Sequence, residues 1–468
     1  MALFFYFKKI FMSEKPTQKP EVIKAINAFG QNDFKEAEKI CLELLSRDDD
    51  ADANHIVGCI RMGQRKFDES ISYINKSLEI TPDSIGVLIS LGCVLSSKKD
   101  YMESIKVFNK VIKLKNDLSQ VHFYLGEAYR QTLQQEKALS SFKRCLEITP
   151  DHIGCQLMVG IIYEELKKFN QAINFYKSCI DTYPDYIEPH INLGMCYLLT
   201  GNYLDGWNEY EWRLKLPAQV YEIKFKKPRW AGQDLSGKTL LVATEQSVGE
   251  ILLFLRFVKQ LALDGAKIII MTQGELRQIL EGQKWISKVV SYDDEIPDCD
   301  FYSFLLSIPK VLEWQPKMDT QTHPYLDIGK ENFPEAMTNK KNIGYLLHPD
   351  INSSLAKQSM IPEEYINSLV VDECLNFINL FEIKDIDVLA GVIQNLDLII
   401  CIESDLAYLA GSLNIPTYLI LPPVPKHFWD LSYKDSTPWY PSLTLFRQQT
   451  TDDWDEIFNS IKEKVINV

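Results

Sequence analysis

Five glycines of this 468-residue chain, Gly58, Gly92, Gly126, Gly160 and Gly194, follow one another at intervals of 34 residues. Other residues keep the same phase. Leu91, Leu125, Val159 and Leu193 precede the glycine, and Tyr129, Tyr163 and Tyr197 follow it by three positions. Ala138 and Ala172 stand twelve residues after their glycines, and Phe108, Phe142 and Tyr176 stand sixteen after theirs. Pro82, Pro150 and Pro184 close three of the periods. A small residue on one helix lets a second helix approach closely, large residues fill the space beside it, and proline stops the second helix. The spacing therefore predicts a stack of antiparallel helix pairs.

A 34-residue period built from these residues resembles the tetratricopeptide repeat. The resemblance implies a superhelix whose concave face binds extended peptides or protein helices. Five units run from Ala51 to about residue 220, and a degenerate pair with NDFKEAEKICLELL as its second helix precedes them. About six units are thus expected over 13–220. Ile56, Ser90, Tyr124, Met158 and Asn192 are the expected inward-facing first-helix positions, with Tyr124, Met158 and Asn192 as the partner groove. An asparagine ladder for a peptide backbone would need Asn at each, and only Asn192 qualifies. A competing reading has this face packing on the rest of the chain. The last unit, GNYLDGWNEYEWRLKLP, carries Gly206, Trp207, Trp212 and Arg213 and reads as a capping helix, with 221–236 as linker.

From Lys238 the pattern changes to short apolar runs alternating with helical segments: TLLVAT, AKIIIMT, KVVSY, IGYLL, LDLIICI and PTYLILP. Such runs read as buried parallel strands of a doubly wound sheet. Two small lobes are expected, 237–338 and 339–468, with a cleft between them and ligands at the carboxyl ends of the strands.

Two windows of this region, EQSVGEILLFLRF and DLIICIESDLAYLAGSLNIPTYLILP, resemble the loop–helix motifs of heptosyltransferase-like GT-B glycosyltransferases. GWNEYEWR, FKKPRW and STPWYPSLTLFRQ resemble the subgroup of that family fused to tetratricopeptide repeats. The fold class implied is α + α/β: an N-terminal tetratricopeptide-repeat superhelix followed by a compact two-lobed GT-B-like doubly wound α/β region. The resemblance also implies metal-independent, inverting transfer of a sugar from a nucleotide donor, with the first lobe on the acceptor side and the second on the nucleotide-sugar side. Glu250 would be the catalytic base, and Arg256 matches a family arginine further along the helix. Gln246, Ser247, Gly249, Lys357, Glu403, Ser404, Asp405, Leu406 and Tyr408 would form the donor site.

The windows also depart from that pattern. Glu250 stands where relatives carry aspartate, and a reach error of about 1 Å can cost on the order of 100-fold in rate. Glu250 also reads as an ordinary first-turn acid favoured by the helix dipole. Where relatives have Asp-Thr, three residues and then His, this chain has Glu403, Ser404 and Tyr408. Ser404 can cap a helix and offer its hydroxyl to phosphate, but Asp405 places a carboxylate where the donor diphosphate would sit. Tyr408 cannot carry a proton at neutral pH as histidine can. In HPDINSSLAKQSM, Lys357 is the only cation beside His348, and Pro362–Asp387 is short by about one strand and one helix. Two functions are therefore carried forward. One is a glycosyltransferase acting on an acceptor presented by the repeats, with a nucleotide sugar as co-substrate and no other cofactor. The other is an inactive repeat scaffold for protein–protein interaction.

The formal charge of −14, with no basic block longer than Lys226-Lys227, argues against nucleic-acid partners. The ten cysteines show no paired metal-ligand spacing and read as buried thiols of a reducing compartment. No histidine pair has ligand spacing, and DCD at 298–300 reads as a solvated turn, so no metal is expected. The opening MALFFYFKKIFM has too short an apolar run to span a bilayer, which takes about 20 residues. At most it is a weak interfacial anchor, or Met12 is the true start. The expected location is cytoplasmic.

Overall fold

A computed structural model describes residues 19–217, 223–245, 247–316, 324–328, 340–347, 361–369, 375–450 and 453–466. The chain divides into two compact units, Met1–Pro184 and Asp185–Val468.

The first unit is a run of helix pairs: α1 (Pro20–Gly30) with α2 (Phe34–Leu45), α3 (Ala51–Gly63) with α4 (Phe67–Ile80), and α5 (Ile85–Ser97) with α6 (Tyr101–Leu114). Two more follow, α7 (Ser119–Gln131) with α8 (Gln135–Ile148) and α9 (Ile153–Glu165) with α10 (Phe169–Thr182). The phased glycines set the distance within each pair. A methyl group on Gly92 would lie 2.4 Å from the Phe108 ring, on Gly126 2.7 Å from Phe142, and on Gly160 2.4 Å from Tyr176. The small and large stations sixteen residues apart are thus one interlock, which any side chain at the glycine would force open. Ser70 and Ser104, at the stations held later by Ala138 and Ala172, donate to the carbonyls of Gly58 at 2.7 Å and Gly92 at 2.9 Å.

The turns inside the pairs carry a second phased feature. Arg65, Lys99, Leu133 and Lys167 all adopt left-handed backbone, with φ between 57° and 71°. Each follows a first helix and allows a tight reversal; at the third turn Leu133 N–H donates to Arg130 O and Gln134 N–H to Tyr129 O.

The second unit opens with α11 (Ile187–Leu199), α12 (Tyr203–Tyr210) and a 3-10 turn (Glu211–Lys215). Here the glycine meets backbone rather than a ring: a methyl on Gly194 would lie 2.6 Å from the Tyr210 backbone nitrogen. Two sheets follow. The first comprises β1 (Thr239–Ala243), β2 (Lys267–Met271), β3 (Ile286–Val290) and β4 (Phe301–Phe304), all parallel, in the order β3-β2-β1-β4. The second comprises β5 (Lys341–Leu346), β6 (Leu375–Asn379), β7 (Leu398–Ile402), β8 (Thr417–Leu421) and β9 (Leu443–Arg447), also parallel, in the order β6-β5-β7-β8-β9. Helix α13 (Val248–Leu263) follows β1, and α14 (Arg277–Glu281) and α15 (Ile308–Val311) lie further along the first half. In the second half α16 (Glu363–Leu369) precedes β6, α17 (Ile386–Ile393) precedes β7, α18 (Asp405–Ser412) follows β7, and α19 (Trp454–Ile466) ends the chain.

The six apolar runs read as strands are β1, β2, β3, β5, β7 and β8. Strand order reverses between β1 and β4 and between β5 and β7, and open α/β sheets bind ligands beyond the carboxyl ends of strands at such points. The loop of each sequence window lies there, after β1 and after β7.

Among the described residues at those windows, helices α13 and α18 pack together, and Leu252, Phe254, Leu406, Tyr408, Trp429 and Trp439 belong to one buried apolar cluster. Arg256, the arginine matched to the family, is buried in an aromatic cage. It lies 4.7 Å from the Tyr440 ring centroid and 5.1 Å from that of Tyr325, and donates through Nη1 to the Trp439 carbonyl.

Candidate functional site

The loop leaving β1 is fixed by a buried ion-pair network. Arg213, 1% exposed, donates to Glu245 Oε1 at 3.1 Å, to Ser307 Oγ at 2.9 Å and to Glu211 Oε1 at 2.9 Å. Arg229 joins through Glu211 Oε2 at 2.7 Å, and Leu306 N–H donates to Glu245 Oε2 at 2.9 Å. Burial opposes the charge on Glu211, yet Arg213 and Arg229 hold its carboxyl below the ordinary range. EWR and PRW therefore clamp the turn that precedes α13.

At the start of α13, Ser247 is the N-cap and its N–H donates to Glu250 Oε2 at 3.3 Å. Glu250 thus closes the helix end in the manner of a capping box. It is buried, and burial pushes its carboxyl pKa up against the lowering effects of the Ser247 amide and Lys426. Gly249 N–H donates at 2.9 Å to Oδ1 of Asp405, the first residue of α18. A methyl on Gly249 would lie 2.4 Å from the Tyr408 ring and 2.7 Å from that carboxylate oxygen. The glycine is what lets the two helix starts meet.

Around Tyr408 the site is closed. Its ring is 1% exposed and packs at 5.2 Å from Trp429, and its hydroxyl is buried without a hydrogen-bond partner among the described residues. Glu403 accepts from Trp429 Nε1 at 3.1 Å and from the Lys426 amide at 3.3 Å. Burial pushes its pKa up to about 7, against the pull of Lys426 and Arg447. Ser404 is the N-cap of α18, but its Oγ donates to Ile402 O at 3.1 Å, and Leu406 is buried in the core. Gln246, Lys357 and His348 lie outside the described residues.

The structure thus brings Ser247, Gly249, Glu250, Glu403, Ser404, Asp405 and Tyr408 together, with three carboxylates at one locus. Lys426, Trp429 and His427 belong to the same place and were not singled out in the sequence. They stand on PPVPKHFW, the loop leaving β8, and a proline-rich exit from a strand beside the window is the signal that points to them. Burial lowers the His427 pKa to about 3, so its ring is neutral at physiological pH.

In the repeats, Ile56 and Ser90 are fully buried and offer no face to a partner; Ser90 Oγ instead pairs with His55 Nε2 at 2.7 Å. Tyr124 stacks on Phe108 at 5.8 Å, and Tyr124, Met158 and Asn192 keep part of their surface. A groove of about 670 Å³ lies elsewhere, over α7 between α6 and α8, lined by Asn109, Tyr129, Lys137, Arg144 and Glu147 among others. The DCD segment is structural: Asp298 pairs with Lys227 at 2.9 Å, Cys299 is buried, and Asp300 accepts from Thr239 N–H at 2.8 Å. Among the described residues no helix is long and apolar enough to cross a membrane.

The tetratricopeptide-repeat family matches residues 51–84, 85–118, 119–152 and 155–186. These residues are tetratricopeptide repeats. Protein FlbA of Caulobacter vibrioides is 42% identical over 59 residues, which span 12% of this chain and 10% of FlbA. The match thus covers about a tenth of that relative's length. Among solved structures, MamA matches with 18% identity and a TM-score of 0.33, over 35% of this chain and 90% of that one. YrrB, described as a tetratricopeptide-repeat protein with an unusual peptide-binding site, matches with 15% identity and a TM-score of 0.33, over 39% of this chain and 91% of its own.

Proposed function

We propose that this chain is a protein-interaction scaffold. The repeats hold a protein or peptide partner, and the second unit is a GT-B-like glycosyltransferase framework whose nucleotide-sugar station is filled by its own side chains. The observation that carries this reading is the 2.9 Å bond from Gly249 N–H to Asp405 Oδ1. A helix N-terminus attracts anions through its free amides and dipole. Asp405 serves two such termini at once, the start of its own helix and the start of α13. A donor diphosphate would have to displace that carboxylate and then face Glu250 and Glu403 as well. Tyr408, sealed beneath Gly249 and Trp429, occupies the remaining space.

The transferase reading keeps one supporting feature, the raised pKa of the buried Glu250 carboxyl, which suits a proton acceptor. That carboxyl already accepts from the Ser247 amide, and burial, with the nearby Asp405 charge, raises its pKa without any substrate. Thermal unfolding of the full chain with millimolar nucleoside diphosphates and nucleotide sugars separates the readings. The scaffold reading predicts no shift across the panel. A saturable shift, with sugar transfer that is lost in Glu250→Gln, overturns it; a ligand at 100 times its Kd adds about 2.7 kcal/mol of stability.

A further inference from the structure

Each junction between successive repeats uses three stations: one late in the second helix of a pair, and two at the start of the next. In the first two complete junctions these are Ser77, Ser84 and Val87, then Val111, Leu118 and Val121. The next junction carries Cys145, His152 and Cys155 at the same stations. Both cysteines are fully buried, as Val111 and Val121 are. The following junction repeats only the first of the three, with Cys179 buried and with Tyr186 and Pro189 at the other two stations, so what sets this junction apart is that His152 and Cys155 join Cys145.

The three side chains converge. The two sulfurs and a ring nitrogen of His152 all lie within 4.8 Å of one another. Tetrahedral zinc bonds of about 2.3 Å to sulfur and about 2.0 Å to nitrogen place ligand atoms roughly 3.5–3.8 Å apart, so closure takes only small side-chain rotations. His152 Nδ1 carries a lone pair rather than a proton, because it accepts the Cys155 N–H at 3.2 Å. That amide also donates to the His152 carbonyl at 2.9 Å, so turning Nδ1 to a metal leaves no backbone group unpaired.

We propose that Cys145, His152 and Cys155 form a site for a thiophilic divalent cation of the zinc type, clamping α8 to α9. On binding, both thiols release their protons to solvent and form two metal–sulfur bonds, while imidazole supplies the third bond and water the fourth. Two thiolates balance a divalent charge, so the buried complex is neutral and avoids the cost of an unpaired interior ion. The site does not depend on the reading of the second unit.

The test is a titration of the reduced full chain with Co²⁺, followed by displacement with Zn²⁺. One Co²⁺ per chain with a sulfur-to-cobalt charge-transfer band is expected, and Zn²⁺ should shield Cys145 and Cys155 from alkylation in peptide mapping. Cys145→Val and Cys155→Val, which copy the preceding junction, should fold and lose the band, and His152→Leu should weaken binding at least ~10-fold. Alkylation mapping of the wild-type chain decides the matter even where a variant folds poorly. Absence of the band, its persistence in the double valine variant, or equal alkylation of the two thiols with and without Zn²⁺ would overturn the proposal.

Discussion

Gly249 and Asp405, 156 positions apart in the chain, are joined by a 2.9 Å bond between the backbone amide of one and the carboxylate of the other. Each residue is explained by its partner. Gly249 lacks a side chain because α18 occupies that space, and the Asp405 carboxylate accepts the Gly249 amide at the start of α13 while standing in the first turn of its own helix, where the dipole favours an acid.

Gly249→Ala should therefore destabilise the second unit. The added methyl meets the ring of a fully buried tyrosine at 2.4 Å, and overpacking of this kind costs about 1–3 kcal/mol. Urea unfolding will measure it, and a cycle with Tyr408→Ala should recover at least ~0.5 kcal/mol if the clash is the cause. Additive losses would place the strain elsewhere.

Arg213→Met should be costlier. It leaves Glu245, 3% exposed, buried without its guanidinium partner, and breaking a buried pair typically costs about 3–5 kcal/mol. The double variant Arg213→Met/Glu245→Gln should regain part of that loss. If it does not, the network is held by packing rather than by charge.

Glu403 gives the second unit a signed pH dependence. Its folded pKa is raised from 4.5 to about 7 by burial, so the folded chain binds the proton more tightly than the unfolded chain. The stability it contributes is complete below pH 4.5 and is lost as pH rises through about 7, at up to ~1.4 kcal/mol per pH unit. Glu403→Gln should flatten that slope relative to wild type in denaturant titrations between pH 5 and pH 7.5. An unchanged slope would mean the carboxyl stays ionised.

At the third repeat turn, Leu133 is 53% exposed and holds φ at 57°. Left-handed backbone costs a residue with a side chain about 1–2 kcal/mol, more than the ~0.5–1 kcal/mol of chain entropy glycine brings. Leu133→Gly should raise stability by roughly 0.5–1 kcal/mol in chemical denaturation. A loss would show that the leucine side chain packs usefully.

The repeats were legible because their code is local: a small residue and a large one recur at fixed separation, and both halves of the interlock sit in one 34-residue period. The left-handed turns were not legible, although Arg65, Lys99, Leu133 and Lys167 are equally periodic, because those residue types carry no turn signature. The long apolar runs gave six strands. FYSF, LNFIN and LTLFR, the strands β4, β6 and β9, are short and include polar residues, so the same rule passes over them. At the candidate site the sequence located the residues of both windows but not their bonds. Asp405 read as a charge opposing a ligand, and only the fold brings it to Gly249. Ile56 and Ser90 misled for a related reason: helical phase gives direction but not depth, and close pairing buries both stations.

The central claim is that Asp405 holds the anion station between α13 and α18. Calorimetric titration of inorganic pyrophosphate into the full-length wild type and into Asp405→Ala tests it directly. The account predicts no measurable binding to the wild type and millimolar or tighter binding to Asp405→Ala, as the freed Gly249 amide donates to the anion between the two helix N-termini. Saturable binding to the wild type that weakens in Asp405→Ala would contradict it, because Asp405 would then help to hold the ligand it is said to replace.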